Sequence, residues 1–493
     1  MAFGTLDWFV FIAYFALLAL TSYILSQAKI SNSRDYFVGS NAMPMLAVAI
    51  SVLATTQSAA TFLGAPEYSY RSDLTFLGFY MSAFLAVFFV AKVLIPRFYA
   101  IKAVTVYELL EIRYGESAKR QAGVMFLIGR LFASGARLYV GALAVSMIIF
   151  SDITFLHVSY SIAILVVGAL SYTYFGGVKS VILSDVIQAI TYIGAGVAVL
   201  IYLYMSLGLD MNEIVTILDA KHKLNLIDWN LSFTSDGKFN IFGLLSGWLL
   251  LNIAAYGLDQ DMTQRVLSCK NAKEGQHSLY YSILFTIPVV LLFLSIGLLL
   301  YLFYEQQEVV QSFSGEKITI FMYYILNEMP DGLKGLVTVG AVAAALSSTN
   351  SVLGAMSSVA VEDIYKPLRL KHSHVDEAHF VKAARIAVIA FAVALSLMAM
   401  LSFIVHSLSD LPLLSFALGV MAFAYSGLLG VYFSALFTSR GSKNSVLLGL
   451  ISGFLTVLSL QPYIFGADVG FAWQIVIGTV VSFIVVQIQK NSN

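Results

Sequence analysis

Long apolar stretches recur along the whole chain, and short polar segments separate each one from the next. About 20 consecutive apolar residues in a helix are needed to cross the hydrocarbon core of a bilayer. The pattern therefore predicts an all-α integral membrane protein with about 13 membrane-spanning helices, several of them ending at prolines such as Pro66 and Pro96. The spans, numbered I to XIII, are expected at residues 5–27, 43–65, 74–96, 119–150, 154–175, 181–207, 240–268, 276–304, 334–361, 379–405, 411–437, 443–461 and 470–488.

Span II is interrupted near its middle by four consecutive polar residues, Thr55, Thr56, Gln57 and Ser58. Backbone that leaves the helical hydrogen-bond ladder inside a membrane is tolerated only where it is buried in protein or lines a cavity. In secondary transporters, broken helices of this kind form the cavity in which substrate and ion bind. The interruption therefore predicts a transport function.

Spans II–VI and VII–XI can be compared as two sets of five helices. The first span of each set carries polar residues at mid-membrane, with Asn252 and Tyr256 in span VII. Because five is an odd number, the two sets must cross the membrane in opposite directions, which is an inverted repeat with the site at its interface. We expect a single transporter domain over residues 1–493, with a peripheral helix at 5–27, repeats at 43–207 and 240–437, and C-terminal helices at 443–488.

The composition supports a membrane protein and narrows its function. The chain is 59% hydrophobic and only 11% charged, whereas soluble domains carry about 25% charged residues. Its formal net charge of zero gives no sign of a nucleic-acid partner. No nucleophile–base arrangement, HExxH motif or phosphate loop occurs within the spans, so we expect neither an enzyme nor an organic cofactor.

The distribution of positive charge predicts the orientation. Most of the 28 Lys and Arg residues fall on one set of loops and span ends, and such residues are enriched on the cytoplasmic side. The N-terminus is then outside the cell, and an odd number of spans puts the C-terminus in the cytoplasm. We expect a multi-pass protein of the plasma or inner membrane that functions as a monomer within the lipid bilayer.

Span IX carries two adjacent hydroxyl residues, Ser347 and Ser348. Sodium is a hard cation, and hard cations prefer oxygen ligands. Carbonyls freed by the break in span II, together with these hydroxyls, would supply such ligands without a formal charge. The alternative is that small residues let helices pack closely, with the hydroxyls bonded to the preceding turn. The matching break in span II favours the sodium site.

Asp185 lies towards the inner third of span VI. A carboxylate inside a membrane span is costly and is a functional candidate by default. The alternative is that Asp185 caps a helix after Gly176 and Gly177 and lies in cytoplasmic water. Its position alone does not separate these two interpretations.

Two arginines and a small acidic cluster complete the charged candidates. Arg130 and Arg137 are seven residues apart in span IV, so they share a helix face. Each must face protein, water or an anionic ligand, and a buried structural ion pair is the competing interpretation. Asp259, Asp261 and Arg265, near the inner end of span VII, are expected to hold the inner gate together.

Several passages of the chain resemble the sodium:solute symporter family, and the resemblance extends from span I to about span XI. The passages are Ser51–Ser58 with Thr61 and Phe62, Tyr174–Gly177 with Ser184–Gln188, Gly257–Gln260 with Gln264 and Arg265, and Ser347 to Asp363. The resemblance implies a secondary active transporter that drives a small organic solute into the cell with sodium, by alternating access.

The resemblance also implies the residues of each site. The sodium ligands would be the carbonyls of Ala54, Gln57 and Ala344 and the hydroxyls of Ser347 and Ser348. Asp185 matches the acidic residue at the second sodium site of some members. The solute would be bound by Ser58, Thr61, Phe79, Arg137, Asn252 and Tyr256.

The chain departs from the family's known solute patterns. Sugar-transporting members place a tyrosine where Ala255 stands, and sialic-acid members carry a glutamine near the position of Phe79, although they resemble this chain at Ser58, Thr61 and Arg137. Because Arg137 suits a carboxylate, an acid such as sialic acid or a monocarboxylate is ranked above a neutral sugar, vitamin or amino acid. A sensor with the same fold and a passive channel are the other classes considered.

Overall fold

The computed structural model describes residues 3–26, 30–235, 237–305, 312–313, 316–372, 375–407 and 413–489. These residues are largely helical, as predicted, with a short hairpin in which β1 (Ser312–Phe313) pairs antiparallel with β2 (Glu316–Lys317).

The helices follow one another with short connections. Those of the first half are α1 (Thr5–Ser26), α2 (Ser33–Val38), α3 (Met45–Thr56), α4 (Ala59–Arg71), α5 (Leu77–Phe89), α6 (Ile95–Ala100), α7 (Glu108–Tyr114), α8 (Glu116–Phe150), α9 (Phe155–Leu207) and α10 (Met211–Ala220). Those of the second half are α11 (Ile241–Leu244), α12 (Gly247–Gly257), α13 (Gln260–Val266), α14 (Ala272–Phe303), α15 (Ile320–Asn327), α16 (Leu333–Ser358), α17 (Lys366–Leu370), α18 (Glu377–Ser407), α19 (Leu413–Phe437), α20 (Lys443–Ser459), α21 (Pro462–Phe465) and α22 (Phe471–Gln487).

The predicted interruption of span II is confirmed. The axes of α3 and α4 differ by 61°, and Gln57 and Ser58 between them have extended backbone. Span VII is bent in the same way, since α12 and α13 meet at 54° around Asp259, which is also extended. The first span of each predicted repeat is therefore a pair of half-helices.

The two bent spans run side by side in opposite directions. Met43, just before α3, donates its backbone N–H to the carbonyl of Ser268, just after α13, over 3.0 Å. At the opposite end, Tyr68 in α4 contacts Phe239, which precedes the second bent span, with ring centroids 5.3 Å apart. The start of each bent span thus lies beside the end of the other, as an inverted repeat requires.

No loop separates spans V and VI, although the predicted ranges 154–175 and 181–207 leave a short connection between them. They form one helical run, α9, which is broken at Gly177 with φ 56° and ψ −149°. Residues with a Cβ avoid this conformation, and a Cβ on Gly177 would lie 2.3 Å from the carbonyl oxygen of Tyr36. A single glycine, rather than a loop, therefore redirects the chain.

Two prolines do not end the spans as expected. Pro66 lies inside α4, which continues to Arg71, and Pro96 lies in the first turn of α6, which follows α5 through the π-helical turn Val90–Leu94. Membrane helices tolerate proline where neighbouring helices or a local change of helix type satisfy the freed backbone groups.

Several helices are long and apolar enough to cross a membrane. Among the described residues there are 7 such helices, or up to 9 if each bent pair is one span, together with the shorter apolar helices Phe423–Phe437, Lys443–Ser459 and Phe471–Gln487. The protein is therefore a multi-pass membrane protein, while the number of 13 spans stays a prediction.

Candidate functional site

The end of α3 presents free backbone carbonyls. Gln57 donates its N–H to Leu53 over 3.2 Å, and the next backbone bond in this region runs from Phe62 to Ser58 over 2.8 Å. Apart from Ala59 and Ala60, no described residue donates a backbone hydrogen bond to the carbonyls of Ala54 and Gln57. Both residues are buried, so the break leaves two oxygen acceptors inside the protein.

The hydroxyls of α16 point in two directions. Ser348 donates to the carbonyls of Ala344 and Ala345 over 3.2 and 3.1 Å. Ser347 instead donates to Oδ1 of Asp185 on α9 over 2.8 Å. The back-bonding expected of a packing serine is therefore observed for Ser348 but not for Ser347.

Helices α3 and α16 meet at this level. The hydroxyls of Thr55 and Ser351 lie 3.3 Å apart, and Ser351 donates to the carbonyl of Ser347. The atoms contributed here by both helices are neutral oxygens, which is the donor set that a sodium ion prefers.

Asp185 is fully buried and lies within α9. Its Oδ2 accepts a hydrogen bond from Ser51 over 2.5 Å and lies 3.2 Å from Nη2 of Arg265. The interpretation of Asp185 as a helix cap in cytoplasmic water is therefore wrong, because packing of α3, α13 and α16 against α9 removes it from water. We call Asp185, Ser51, Ser347, Ser351 and Arg265 the Asp185 cluster.

A second group of charges adjoins this cluster at α13, the second half-helix of span VII. Nη2 of Arg130 lies 2.5 Å from Asp261 and 3.1 Å from Asp259. Arg265 also pairs with Asp261, over 3.0 Å, and Tyr425 donates to Asp259. These five side chains are all buried, and we call them the inner charge cluster because the predicted orientation places them towards the cytoplasm. Arg130 is therefore in a buried structural ion pair, which was one of the interpretations of this residue from the sequence.

The predicted solute residues surround the breaks of the two bent spans. Nδ2 of Asn252 donates to the carbonyl of Phe79 over 3.2 Å. Tyr256, in the last turn of α12, lies beside Thr56 at the end of α3. Ser58, which is buried, immediately precedes α4, and Thr61, which is half-buried, lies in its first turn.

Arg137 lies close to the predicted sodium ligands. It lines a small cavity of about 10 Å³ together with Ser134, Leu138, Ser348, Thr349, Val352 and Leu395. Tyr80 lies beside Gln57 and within electrostatic reach of the Arg137 guanidinium. Gln57 Nε2 and Ser134 Oγ have no hydrogen-bond partner among the described residues, so this region offers polar atoms to a bound molecule.

Aromatic side chains cover the predicted solute residues on the side that the predicted orientation places towards the outside of the cell. Trp248 lies one helical turn outward from Asn252, and its ring lies 5.3 Å from Phe79 and 5.0 Å from Phe471. The outer aromatic layer consists of Tyr68, Phe76, Phe79, Phe239, Trp248 and Phe471. The predicted solute residues thus lie between this layer and the inner charge cluster.

Ion pairs also join segments that the predicted orientation places at the cytoplasmic surface. Lys179 lies 2.7 Å from Asp35 in α2. Partial burial raises the pKa of Asp35, but Lys179 and Ser40 outweigh this effect and hold the pKa below its usual value. Lys366 pairs in the same way with Glu377, over 2.9 Å.

Sequence reasoning missed several residues of the site. Ser51, Tyr80, Ser351 and Tyr425 all contact residues that the sequence analysis had singled out. For Ser51 and Ser351 a signal existed, since each lies one turn from a residue that was selected, Thr55 and Ser347 respectively. Tyr80 and Tyr425 gave no comparable signal among the many tyrosines of the chain.

This arrangement defines a secondary transporter, with two bent spans that run in opposite directions and a polar region at their breaks. The family model of the sodium:solute symporter family matches residues 36–453, and the chain belongs to this family. Its function is sodium-coupled symport of a small solute, and sodium ions and that solute are its ligands.

Relatives with known functions match most of the chain. The sodium/sialic acid symporter SiaT of Proteus mirabilis is 28% identical over 481 residues, which are 97% of this chain and 93% of the relative. The human sodium-coupled monocarboxylate transporter 1 is 26% identical over 429 residues, 86% of this chain and 67% of the relative.

Solved structures agree with the fold. A substrate-bound, outward-open sodium-coupled sialic acid symporter superposes with a TM-score of 0.85 at 27% identity, covering 98% of this chain and 97% of the other. The nucleobase-cation-symport-1 family transporter MHP1 superposes with a TM-score of 0.57 at 13% identity, which shows a shared fold alone.

Proposed function

We propose that this symporter carries a small carboxylated solute into the cell. The observation that carries the proposal is the position of Arg137, which lines the same small cavity as Ser348. A guanidinium matches a carboxylate with two parallel hydrogen bonds. Relatives that transport sialic acid or monocarboxylates support the same solute class.

The first sodium ion would be held where α3 ends against α16. Its ligands in this proposal are the carbonyls of Ala54, Gln57 and Ala344 and the hydroxyls of Ser347 and Ser348. The free carbonyls at the break support this assignment, as does the contact between Thr55 and Ser351. Because both helices supply ligands, sodium would hold the broken span against α16.

The second sodium ion would bind at Asp185. The carboxylate offers a full negative charge, and the hydroxyls of Ser51 and Ser347 already lie within hydrogen-bond distance of it. A buried carboxylate surrounded by hydroxyls provides the oxygen ligands that a hard cation needs.

The solute would lie between the two breaks. In this proposal Arg137 binds the carboxylate, Ser58, Thr61 and Asn252 supply further hydrogen bonds, and Phe79 and Tyr256 form apolar walls. The contact between Asn252 and Phe79 supports a shared pocket. Alternating access would then open the outer aromatic layer and the inner charge cluster in turn, with the repeats 43–207 and 240–437 moving against each other.

The cellular setting belongs to the same proposal. The protein would be a monomer in the plasma or inner membrane, with the N-terminus outside and the C-terminus in the cytoplasm, and it would have no enzymatic activity. The distribution of Lys and Arg supports this orientation.

Uptake by the purified chain in proteoliposomes with an inward sodium gradient tests the solute class. Labelled sialic acid, a short monocarboxylate, a sugar, a vitamin and a neutral amino acid are compared, and the best acid is then compared with its own amide. We expect transport of an acid and none of the amide. Equal transport of the acid and its amide, or of a sugar alone, would exclude the carboxylate proposal and favour a neutral solute.

A further inference from the structure

We propose that the Arg265 guanidinium is a tethered cation that competes with the second sodium ion for Asp185. Sodium entry would displace Arg265 towards Asp261 and release the inner half of span VII from its neighbours. The inference rests on the second sodium site proposed above, and it adds the event by which that ion acts on the inner gate.

The contacts of Arg265 occupy the oxygens that a cation at Asp185 would use. Nε and Nη2 lie 3.3 and 3.2 Å from Oδ2 of Asp185. Nε also donates to Ser51 over 2.8 Å, and Nη2 donates to Ser351. One guanidinium thus binds the carboxylate and two of the surrounding hydroxyls at once.

Sodium and the guanidinium cannot hold these oxygens together. Asp185 is fully buried and Arg265 is 1% exposed, so water screens the repulsion between two cations only weakly. The lone pairs of Ser51 and Ser351 that accept from Arg265 are also the ones a sodium ion needs. Binding of one cation at Asp185 therefore opposes binding of the other.

A second carboxylate is available to the displaced guanidinium. Nη1 of Arg265 already pairs with Asp261 over 3.0 Å, one turn earlier on the same helix, α13. Movement towards Asp261 keeps this bond within α13 and breaks the bonds to Ser51 on α3, Asp185 on α9 and Ser351 on α16. Sodium binding would therefore remove three contacts that fix α13 to other helices.

Arg130 provides a matched control. It is also buried in α8 and pairs with Asp261 and Asp259, but no contact to Asp185 is described for it. If both arginines only stabilise the fold, replacing either Arg130 or Arg265 should affect folding and not sodium affinity. The competition instead predicts that replacing Arg265 tightens sodium binding at Asp185, whereas replacing Arg130 leaves it almost unchanged.

The test is equilibrium binding of radioactive sodium to the full purified chain without solute, in a Ser348→Ala background that weakens the first site. Allosteric coupling typically changes affinity by about 5- to 150-fold. We expect Arg265→Gln to tighten binding at least about fivefold, and Arg130→Gln to change it less than about twofold. Unchanged or weaker binding in a folded Arg265→Gln protein would overturn the proposal.

A second variant acts in the opposite direction and serves if Arg265→Gln does not fold. Asp261→Asn removes the carboxylate that receives the displaced guanidinium, so sodium should bind about fivefold more weakly. Tighter or unchanged binding there would also overturn the competition. Asp185→Asn tests the second sodium site separately from the competition by Arg265. If the Asp185→Asn protein binds sodium as well as the background protein does, the second sodium site itself is wrong.

Discussion

Ser347 on α16 donates its hydroxyl to the Asp185 carboxylate on α9 over 2.8 Å. Ser347 is a proposed ligand of the first sodium ion, and Asp185 is the proposed ligand of the second. The two proposed sodium sites therefore share a side chain. An ion that draws the Ser347 hydroxyl towards one site changes the hydrogen bonding of the other, so we expect the two sites to bind sodium with coupled affinities.

The adjacent serines should differ when they are replaced. Ser348→Ala removes one oxygen from the first site and a hydroxyl bonded to its own helix, so apparent sodium affinity should fall roughly tenfold, or about 1.4 kcal/mol, with normal expression. Ser347→Ala should lower sodium affinity further and reduce the Hill coefficient of sodium-dependent uptake. The control is Ser282→Ala, a buried serine of α14 whose hydroxyl also bonds to its own helix. Sodium dependence unchanged in both variants and in their combination would mean that these serines only pack.

Replacement of Arg137 tests the solute ligand. Lys cannot reproduce the planar fork of a guanidinium, so Arg137→Lys should raise the apparent substrate constant severalfold, and Arg137→Ala should abolish uptake of an acid. Sodium binding without solute should survive both changes, since its proposed ligands lie on α3 and α16. If Arg130→Ala instead alters substrate affinity while Arg137→Ala does not, Arg130 is the solute ligand. If neither matters, the solute is neutral.

Arg130 should be required for stability. Arg130→Ala leaves Asp259 and Asp261 buried without one of their counter-charges, and breaking such a pair costs about 3–5 kcal/mol. The melting temperature in detergent should fall sharply, with loss of the monodisperse peak in size-exclusion chromatography. Lys92→Ala is the control, because Lys92 is exposed and its loss should cost under about 0.5 kcal/mol. A wild-type melting temperature for Arg130→Ala would show that the ion pair contributes little.

Gly177 should not tolerate a side chain. Gly177→Ala forces a strained backbone conformation that costs about 1–3 kcal/mol, and its Cβ would contact the Tyr36 carbonyl. Expression and thermal stability should both drop. Gly194→Ala in the same helix is the matched control, since a Cβ there meets no atom within 4 Å, and it should gain up to about 1 kcal/mol from helix propensity. Equal stability of the two variants would argue against a fixed turn at Gly177.

The sequence predicted those features of the site that depend on the residues of a single helix. Four polar residues inside an apolar span predicted the break after Thr56, because unpaired backbone in a membrane needs polar surroundings. The prediction that span II ends at Pro66 was wrong, because the effect of a proline on a membrane helix depends on the neighbouring helices and not only on the span that contains it. The Asp185 cluster could not be assembled, because Ser51, Asp185 and Arg265 come from helices far apart in the chain. Only packing of those helices brings them together.

The central claim is that sodium drives a carboxylated solute through the region between the two breaks. Its most direct test is accumulation of the labelled solute in proteoliposomes, with external sodium or choline at the same membrane voltage and proton gradient. One sodium ion gains about 2.3 kcal/mol at 100 mV, and a tenfold sodium gradient adds about 1.4 kcal/mol. We predict accumulation above equilibrium with sodium, loss of this accumulation with choline, and a strong reduction in the Ser348→Ala protein. Equal uptake with sodium and choline would contradict the account.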